Sequence, residues 1–271
     1  MSGRNALDDV FENARNKGRA VLIPYLTAGF PDPARFVDLA VAILDAGADI
    51  LELGIPFSDP LLDGPSIQHS SQRALDSGVT PPMCIEYARQ IHARSDKPLL
   101  FMSPYNPLLA YGLDHFCRDS SQAGLTGLII TDVPMEEQGD LLEAAGHHHL
   151  HVIQLLAPTS TPERLRHAAA IASGFIYCIS VAGVTGARSG IAEAARPLVA
   201  AVKRLTDVPV AVGFGISSPE AARQVAQFAD GVIVGSALIN LLTDASSEEQ
   251  IPHASSFMQS LRDALTSIHV A

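Results

Sequence analysis

Eight short apolar runs rich in β-branched residues recur along the chain with helical patterns between them, and this alternation limits the fold more than any other feature. They fall at 20–27 (AVLIPYLT), 48–54, 98–103, 127–131, 151–156, 174–180, 208–213 and 231–235. Strands covered on both faces read as near-continuous apolar runs, whereas a half-exposed antiparallel strand alternates with polar residues. The intervening helical patterns lie near 33–46, 66–77, 81–93, 113–123, 135–145, 161–172, 191–205, 217–227 and 236–242, with a last one near 252–267. Strand and helix in strict alternation imply parallel strands, and eight of them imply closure. The expected fold is therefore α/β: a single (β/α)8 TIM barrel over residues 1–271, with an additional N-terminal helix and an extra helical segment after strand two. An open doubly wound sheet is the alternative, but it more often has fewer strands and opens on a G-x-G-x-x-G turn that the first run lacks.

Length and composition agree with one large core. The chain has 271 residues, 47% hydrophobic and 17% charged, and barrels of this type commonly run to about 250 residues as one unit. No apolar run approaches the roughly 18 residues that a membrane helix requires. The N-terminal stretch MSGRNALDDVFENARNKGR mixes acids and bases around an amphipathic pattern and has no secretory character, so a cytoplasmic location is expected. Cys84, Cys117 and Cys178 are odd in number and lack C-x-x-C spacing, which argues for buried reduced thiols over disulfides or a zinc site. A formal net charge of −11 without a Lys/Arg cluster argues against nucleic acid as a partner.

Barrel active sites lie at the C-terminal ends of the strands, so only residues at strand exits and in the loops that follow them can do chemistry. Lysine fails this filter: Lys17 and Lys97 precede strands and Lys203 lies within a helix, which makes imine chemistry unattractive. His147, His148, His149 and His151 look like a metal cluster, yet they precede the fifth strand on the opposite face and read as a solvated loop. Glu52, Asp59, Asp63 and Asp132 remain, with the hydroxyls of Tyr177 and Thr185. In ADILELGIP, alternation turns Leu51 and Leu53 toward the helices and Ile50, Glu52 and Gly54 into the barrel. Desolvation there raises a carboxyl pKa toward neutrality, as proton transfer requires, although a structural, hydrogen-bonded Glu is the alternative. Asp63 precedes Gly64-Pro65 and could simply form a turn, and Asp132 could be a turn residue or a helix cap.

Glycine-rich exits follow strands six to eight, in AGVTGARSG, VGFGISSPE and VGSAL. Glycine lets backbone N–H groups approach a phosphate, and a helix N-terminus supplies positive potential. Gly215, Gly235 and Ser236 are the candidates, and an acidic protein can bind phosphate this way without a basic patch.

The run LELGIPFSDPLLDGPSIQ resembles the α subunits of tryptophan synthase. The resemblance extends through TAGFPDP, MSPYNP, TDVPMEE, LLAPTST, AGVTGAR, VGFGIS and DGVIVGSA, nearly the whole chain. It implies retro-aldol cleavage of indole-3-glycerol phosphate to indole and glyceraldehyde 3-phosphate, without metal or organic cofactor. By the same resemblance Glu52 is the catalytic acid–base, Asp63 binds the indole N–H, Tyr177 lies near the reaction centre, and Gly186, Phe214, Gly215, Gly235 and Ser236 bind phosphate. A substrate-lining aromatic falls on Tyr25 or a neighbour. The implied partner is a pyridoxal-phosphate-dependent β subunit in an α2β2 assembly, with Pro56 and Asp59 near the contact. Pro104, Leu62 and Thr131 depart from the family pattern and bear on the indole pocket and the partner surface. Other readings are a stand-alone lyase that releases free indole, a non-catalytic activating subunit, and a phosphate-sugar isomerase or synthase on the same barrel.

Overall fold

The computed structural model describes residues 4–60, 63–179, 190–213 and 215–266; Leu62, Thr185, Gly186 and Phe214 lie outside them. Nine parallel strands form the sheet: β1 Val21–Thr27, β2 Leu51–Gly54, β3 Leu99–Ser103, β4 Leu125–Ile130, β5 His151–Val152, β6 Gln154–Leu156, β7 Ile176–Ile179, β8 Val210–Gly213 and β9 Gly231–Val234. Their order is β5-β4-β3-β2-β1-β9-β8-β7-β6. The two end strands are the halves of the expected fifth run, broken at Ile153. β5 pairs with β4 and β6 with β7, while the Ile153 N–H donates to the Leu128 carbonyl at 2.9 Å, so the ring has eight staves.

Side-chain alternation divides the apolar residues into two cores. Val21, Ile23, Ile50, Leu100, Ile129, Ile153, Phe175, Tyr177, Ala211 and Ile233, drawn from all eight staves, fill the barrel. Leu51, Leu53, Phe101, Leu128, Val212 and Val232 face outward into the layer beneath the helices. That is the pattern of a packed barrel core rather than a pore. The floor is closed by α1 (Ala6–Asn16), which Asn5 and Asp8 start with a reciprocal capping box. Its Leu7, Phe11 and Ala14 join the interior core, with the Phe11 ring 5.4 Å from that of Phe175.

The outer helices are α2 Phe36–Asp45, α3 Pro65–Asp76, α4 Pro81–His92, α5 Tyr105–Tyr111, α6 Leu113–Gln122, α7 Gly139–His147, α8 Pro162–Ile171, α9 Gly190–Lys203, α10 Pro219–Ala226, α11 Ser236–Asp244 and α12 Gln250–Thr266. Proline opens α3, α4, α8 and α10, where its missing N–H leaves no helical bond unmade. None of the described helices is long and apolar enough to cross a membrane. The three cysteines are buried and unbridged.

The structure corrects three local expectations. A helix, α5, precedes the expected one at 113–123. Pro104 is its N-cap and Pro107 lies in its first turn, and the cap arrives from another loop: Asp132 Oδ1 accepts from the Tyr105 N–H at 2.7 Å. The expected helix at 135–145 is a short 3-10 turn, Met135–Glu137, followed by α7. The four histidines are only in part a solvated loop: His147 and His149 are exposed, but the other two are held by carboxylates. His147 ends α7, His148 Nε2 is 2.9 Å from Asp114, and His151 is buried in β5 with Nε2 2.9 Å from Asp8 of α1. Only the folding of α1 across the floor brings Asp8 to His151. Among the described residues no group of three or more His, Cys, Asp and Glu side chains is placed to hold a metal.

Candidate active site at the strand exits

A cavity of about 170 Å³ opens at the C-terminal ends of the strands. Tyr25 of β1, Glu52 of β2, Met102 of β3, Tyr177 of β7 and Ile233 of β9 form its floor, and the loops and helix starts after β2, β8 and β9 form its walls. A larger hollow of about 280 Å³ lies at the opposite end, beside Phe11 and Phe228. Of the cations that line it, Arg15, Arg19 and Lys203, the last two are already held by Asp49 and Asp230, and no strand exit reaches it. The smaller cavity is therefore the candidate site.

Glu52 is fully buried, and neither carboxylate oxygen has a hydrogen-bond partner among the described residues. A buried polar atom without a partner is costly, and such an atom facing a cavity is poised for a ligand. Desolvation, with the nearby Asp63 charge adding to it, pushes the Glu52 pKa up to about 8. At neutral pH Glu52 is thus chiefly a carboxylic acid, able to give a proton. Asp63 lies on the loop that follows β2, where the N–H of Asp63 donates to the Pro60 carbonyl at 3.1 Å and its own carbonyl accepts from Gln68 Nε2 at 2.8 Å. This backbone turn leaves the carboxyl directed at the cavity. Partial burial pushes its pKa up to about 6, so it is mainly ionised near pH 7.

Two aromatic hydroxyls flank Glu52. Tyr25 and Glu52 are register partners on β1 and β2, and the Tyr25 hydroxyl occupies the space that a β-carbon at Gly54 would take. Tyr177 uses Gly213 in the same manner. Both glycines are therefore seats for tyrosine rings. Burial raises both phenol pKa values, so the hydroxyls stay neutral.

At the other side of the cavity, Gly215 adopts φ +75°, a left-handed conformation that favours glycine, and Gly235 caps α11. Among the described residues beyond its chain neighbours, a β-carbon at Gly235 would approach no atom closer than 3.6 Å, so its absence serves space in the cavity rather than packing. Ser236 begins α11, whose first N–H groups have no intrahelical acceptor and face an anion favourably.

Of the residues expected from sequence, the structure gathers Glu52, Asp63, Tyr177, Gly215, Gly235 and Ser236 around one cavity, with Tyr25. Gly186 and Phe214 lie outside the described residues. Asp59 is exposed and accepts from Ser58 Oγ at 2.8 Å, away from the cavity lining, and Pro56 is buried. Thr131 lines a separate hollow with Asp132 and Arg164, and Pro104 caps α5. Sequence reasoning missed Ile67, Met102, Ser217, Ala237 and Asn240. Asn240 sits one turn beyond Ser236 on α11, so helical spacing was the available signal.

Comparison with known proteins agrees along nearly the whole length. The sequence model of the family described as Tryptophan synthase alpha chain matches residues 11–266. The tryptophan synthase alpha chain of Chloroflexus aggregans is 46% identical over 266 residues, covering 98% of this chain and 100% of that one. A chain in the structure of Mycobacterium tuberculosis tryptophan synthase superposes with a TM-score of 0.90 at 41% identity, covering 98% of this chain and 99% of that one. The tryptophan synthase subunit alpha of Legionella pneumophila superposes with a TM-score of 0.91 at 35% identity, covering 98% and 100%.

Proposed function

The chain belongs to the tryptophan synthase alpha chain family, lyases that cleave indole-3-glycerol phosphate, and on that premise we propose the residue roles by which its cavity does so. Glu52 is the proton-transfer group. As the acid it protonates C3 of the indole ring, which makes the ring a leaving group and places positive charge on the ring nitrogen. As the resulting carboxylate it takes the proton of the adjacent side-chain hydroxyl while the carbon–carbon bond breaks. The bonding electrons return to the ring, indole and glyceraldehyde 3-phosphate separate, and Glu52 is again an acid. Ionised Asp63 accepts the indole N–H and stabilises the charge where it develops. Two carboxyls whose surroundings separate their pKa values thus take two roles.

The observation that carries this reading is the buried, unpartnered Glu52 carboxyl beside Asp63, in a cavity whose far wall is the start of α11. The phosphate is assigned to Gly215, Gly235 and Ser236, together with Gly186 and Phe214, and Tyr177 to the floor beside the reacting carbons. General acid–base chemistry and backbone N–H groups suffice for the reaction, so no metal or organic cofactor is assigned to this chain.

The M. tuberculosis relatives are tryptophan synthases, and a β-subunit partner follows for this chain too. We assign the assembly as α2β2, with pyridoxal phosphate held by the partner. Exposed Asp59 offers a contact on the loop after β2, while buried Pro56 supports that loop from beneath.

Indole release from indole-3-glycerol phosphate tests the residue roles. Glu52→Gln is expected to lower kcat by about three orders of magnitude, and Asp63→Asn by about two, with both proteins folded by circular dichroism. Wild-type rates in both variants would remove these residues from the chemistry.

A further inference from the structure

Two tyrosine hydroxyls line the same cavity as Glu52, yet neither donates to its carboxyl. For Tyr25 the reason lies in a chain of buried hydroxyls. Tyr25 Oη is 3.2 Å from Thr27 Oγ1, Thr27 Oγ1 is 2.6 Å from Ser70 Oγ, and Ser70 Oγ donates to the Ile67 carbonyl at 2.9 Å. Thr27 and Ser70 are both fully buried, so no solvent competes. A hydroxyl has a single proton to give. The proton of Ser70 goes to Ile67, so Ser70 must accept from Thr27. The proton of Thr27 is thereby used, and Thr27 must accept from Tyr25. The direction of the whole chain is set at the far end, by a backbone carbonyl in the first turn of α3.

We propose that Ser70 and Thr27 are positioning residues that commit the Tyr25 proton to Thr27, so that Tyr25 offers the cavity only its lone pair and withholds a donor from the Glu52 carboxylate. A hydrogen bond donated to a carboxylate stabilises the ionised form, and a lone pair facing it does the reverse. The relay therefore favours the acid form of Glu52 that proton delivery to carbon requires. Among the described residues the titratable groups facing Glu52 are Asp63 from the loop after β2, Tyr25 from β1 and Tyr177 from β7. Asp63 acts in the same direction as the relay, through its charge. The relay also anchors to α3, the helix that follows the Asp63 loop, so the placement of that helix and the protonation of Glu52 are linked through two hydroxyls.

The inference rests on Glu52 being the proton-transfer group, and its test separates the two ideas. In protein labelled with carboxyl-¹³C glutamate, the Glu52 signal is identified by its loss in Glu52→Gln and titrated without substrate. Thr27→Val, which keeps the shape and removes the hydroxyl, frees the Tyr25 proton and is expected to lower the Glu52 midpoint by about one pH unit. Thr27→Ser keeps the relay and the wild-type midpoint. Ser70→Ala shifts the midpoint in the same direction as Thr27→Val and serves if Thr27→Val does not fold. In a Tyr25→Phe background, Thr27→Val produces no further shift, because the effect acts through Tyr25. An unchanged midpoint in both Thr27→Val and Ser70→Ala, or a Thr27→Val shift that persists without the Tyr25 hydroxyl, overturns the relay. If the midpoints move as described while the wild type releases no indole from indole-3-glycerol phosphate, the relay stands and the proposed reaction falls.

Discussion

An ionised carboxylate loses several kcal/mol of hydration when it is buried without partners, and Glu52 is buried with no partner among the described residues. The molecule lowers that cost by keeping the group protonated, and the protonated form is the one the proposed mechanism uses. With Asp63 required as an anion and pushed up to about 6, and Glu52 required as an acid and pushed up to about 8, kcat/KM is expected to be bell-shaped with limbs near these values. Asp63→Asn should remove the acidic limb; a profile flat from pH 5 to 9 in the wild type would contradict the assignment. The same shift bears on stability. The folded protein holds the Glu52 proton more tightly than the unfolded chain, so stability falls as pH climbs from about 4.5 through about 8. Urea denaturation of Glu52→Gln should show a gain of a few kcal/mol at pH 9 and little change at pH 5. That Glu52 points inward was legible from alternation in ADILELGIP. That it lacks a partner was not, because Gly54 and Gly213 seat the two tyrosines that could have supplied one.

Elements are joined below the barrel by a second carboxylate with the opposite electrostatics. Asp49, just before β2, accepts from Arg19 Nη1 and Nη2 at 2.8 and 2.9 Å, from the Leu22 N–H at 2.8 Å, and from Arg262 of α12. Burial opposes its charge, but these donors outweigh burial and hold the carboxyl below its ordinary range. A group depressed in this way contributes stability that is present above its unfolded pKa and is lost as pH falls through the folded one. Asp49→Ala strands two partly buried guanidinium groups and is expected to cost about 3 kcal/mol in urea denaturation, with kcat nearly unchanged because the latch lies at the end of the barrel away from the cavity. Asp49→Asn should flatten the acid side of the stability profile. The strands and most helices that this latch joins were readable from period and cap signals. α5 was not, since its capping carboxylate, Asp132, comes from the loop after β4. Nor was the break at Ile153, where a run that reads as one strand bonds to β4 on one side and β7 on the other.

At the scale of the molecule, the proposed catalytic residues occupy one end of the barrel and three of its ion-paired carboxylates the other. Asp49, His151–Asp8 and Lys203–Asp230 all lie toward the floor that α1 closes. On the proposed roles, substrate entry and β-subunit docking share the opposite end, where the Asp63 loop also carries exposed Asp59. Mixing the chain with a tryptophan synthase β subunit is expected to give an α2β2 mass in sedimentation and a higher rate of indole formation than the chain alone; unchanged mass and rate would favour a stand-alone lyase. The sequence by itself determined the eight staves, the inward face of each and the end at which chemistry could occur, because strand alternation and parallel crossovers follow from local pattern and chain geometry. Only the tertiary structure decided which polar groups meet: His151 with Asp8, Asp132 with the start of α5, and the hydroxyls from Ser70 through Thr27 to Tyr25 beside a Glu52 left without a donor. Such pairings join residues far apart in the chain, and no local pattern records a partner that arrives only when the barrel closes.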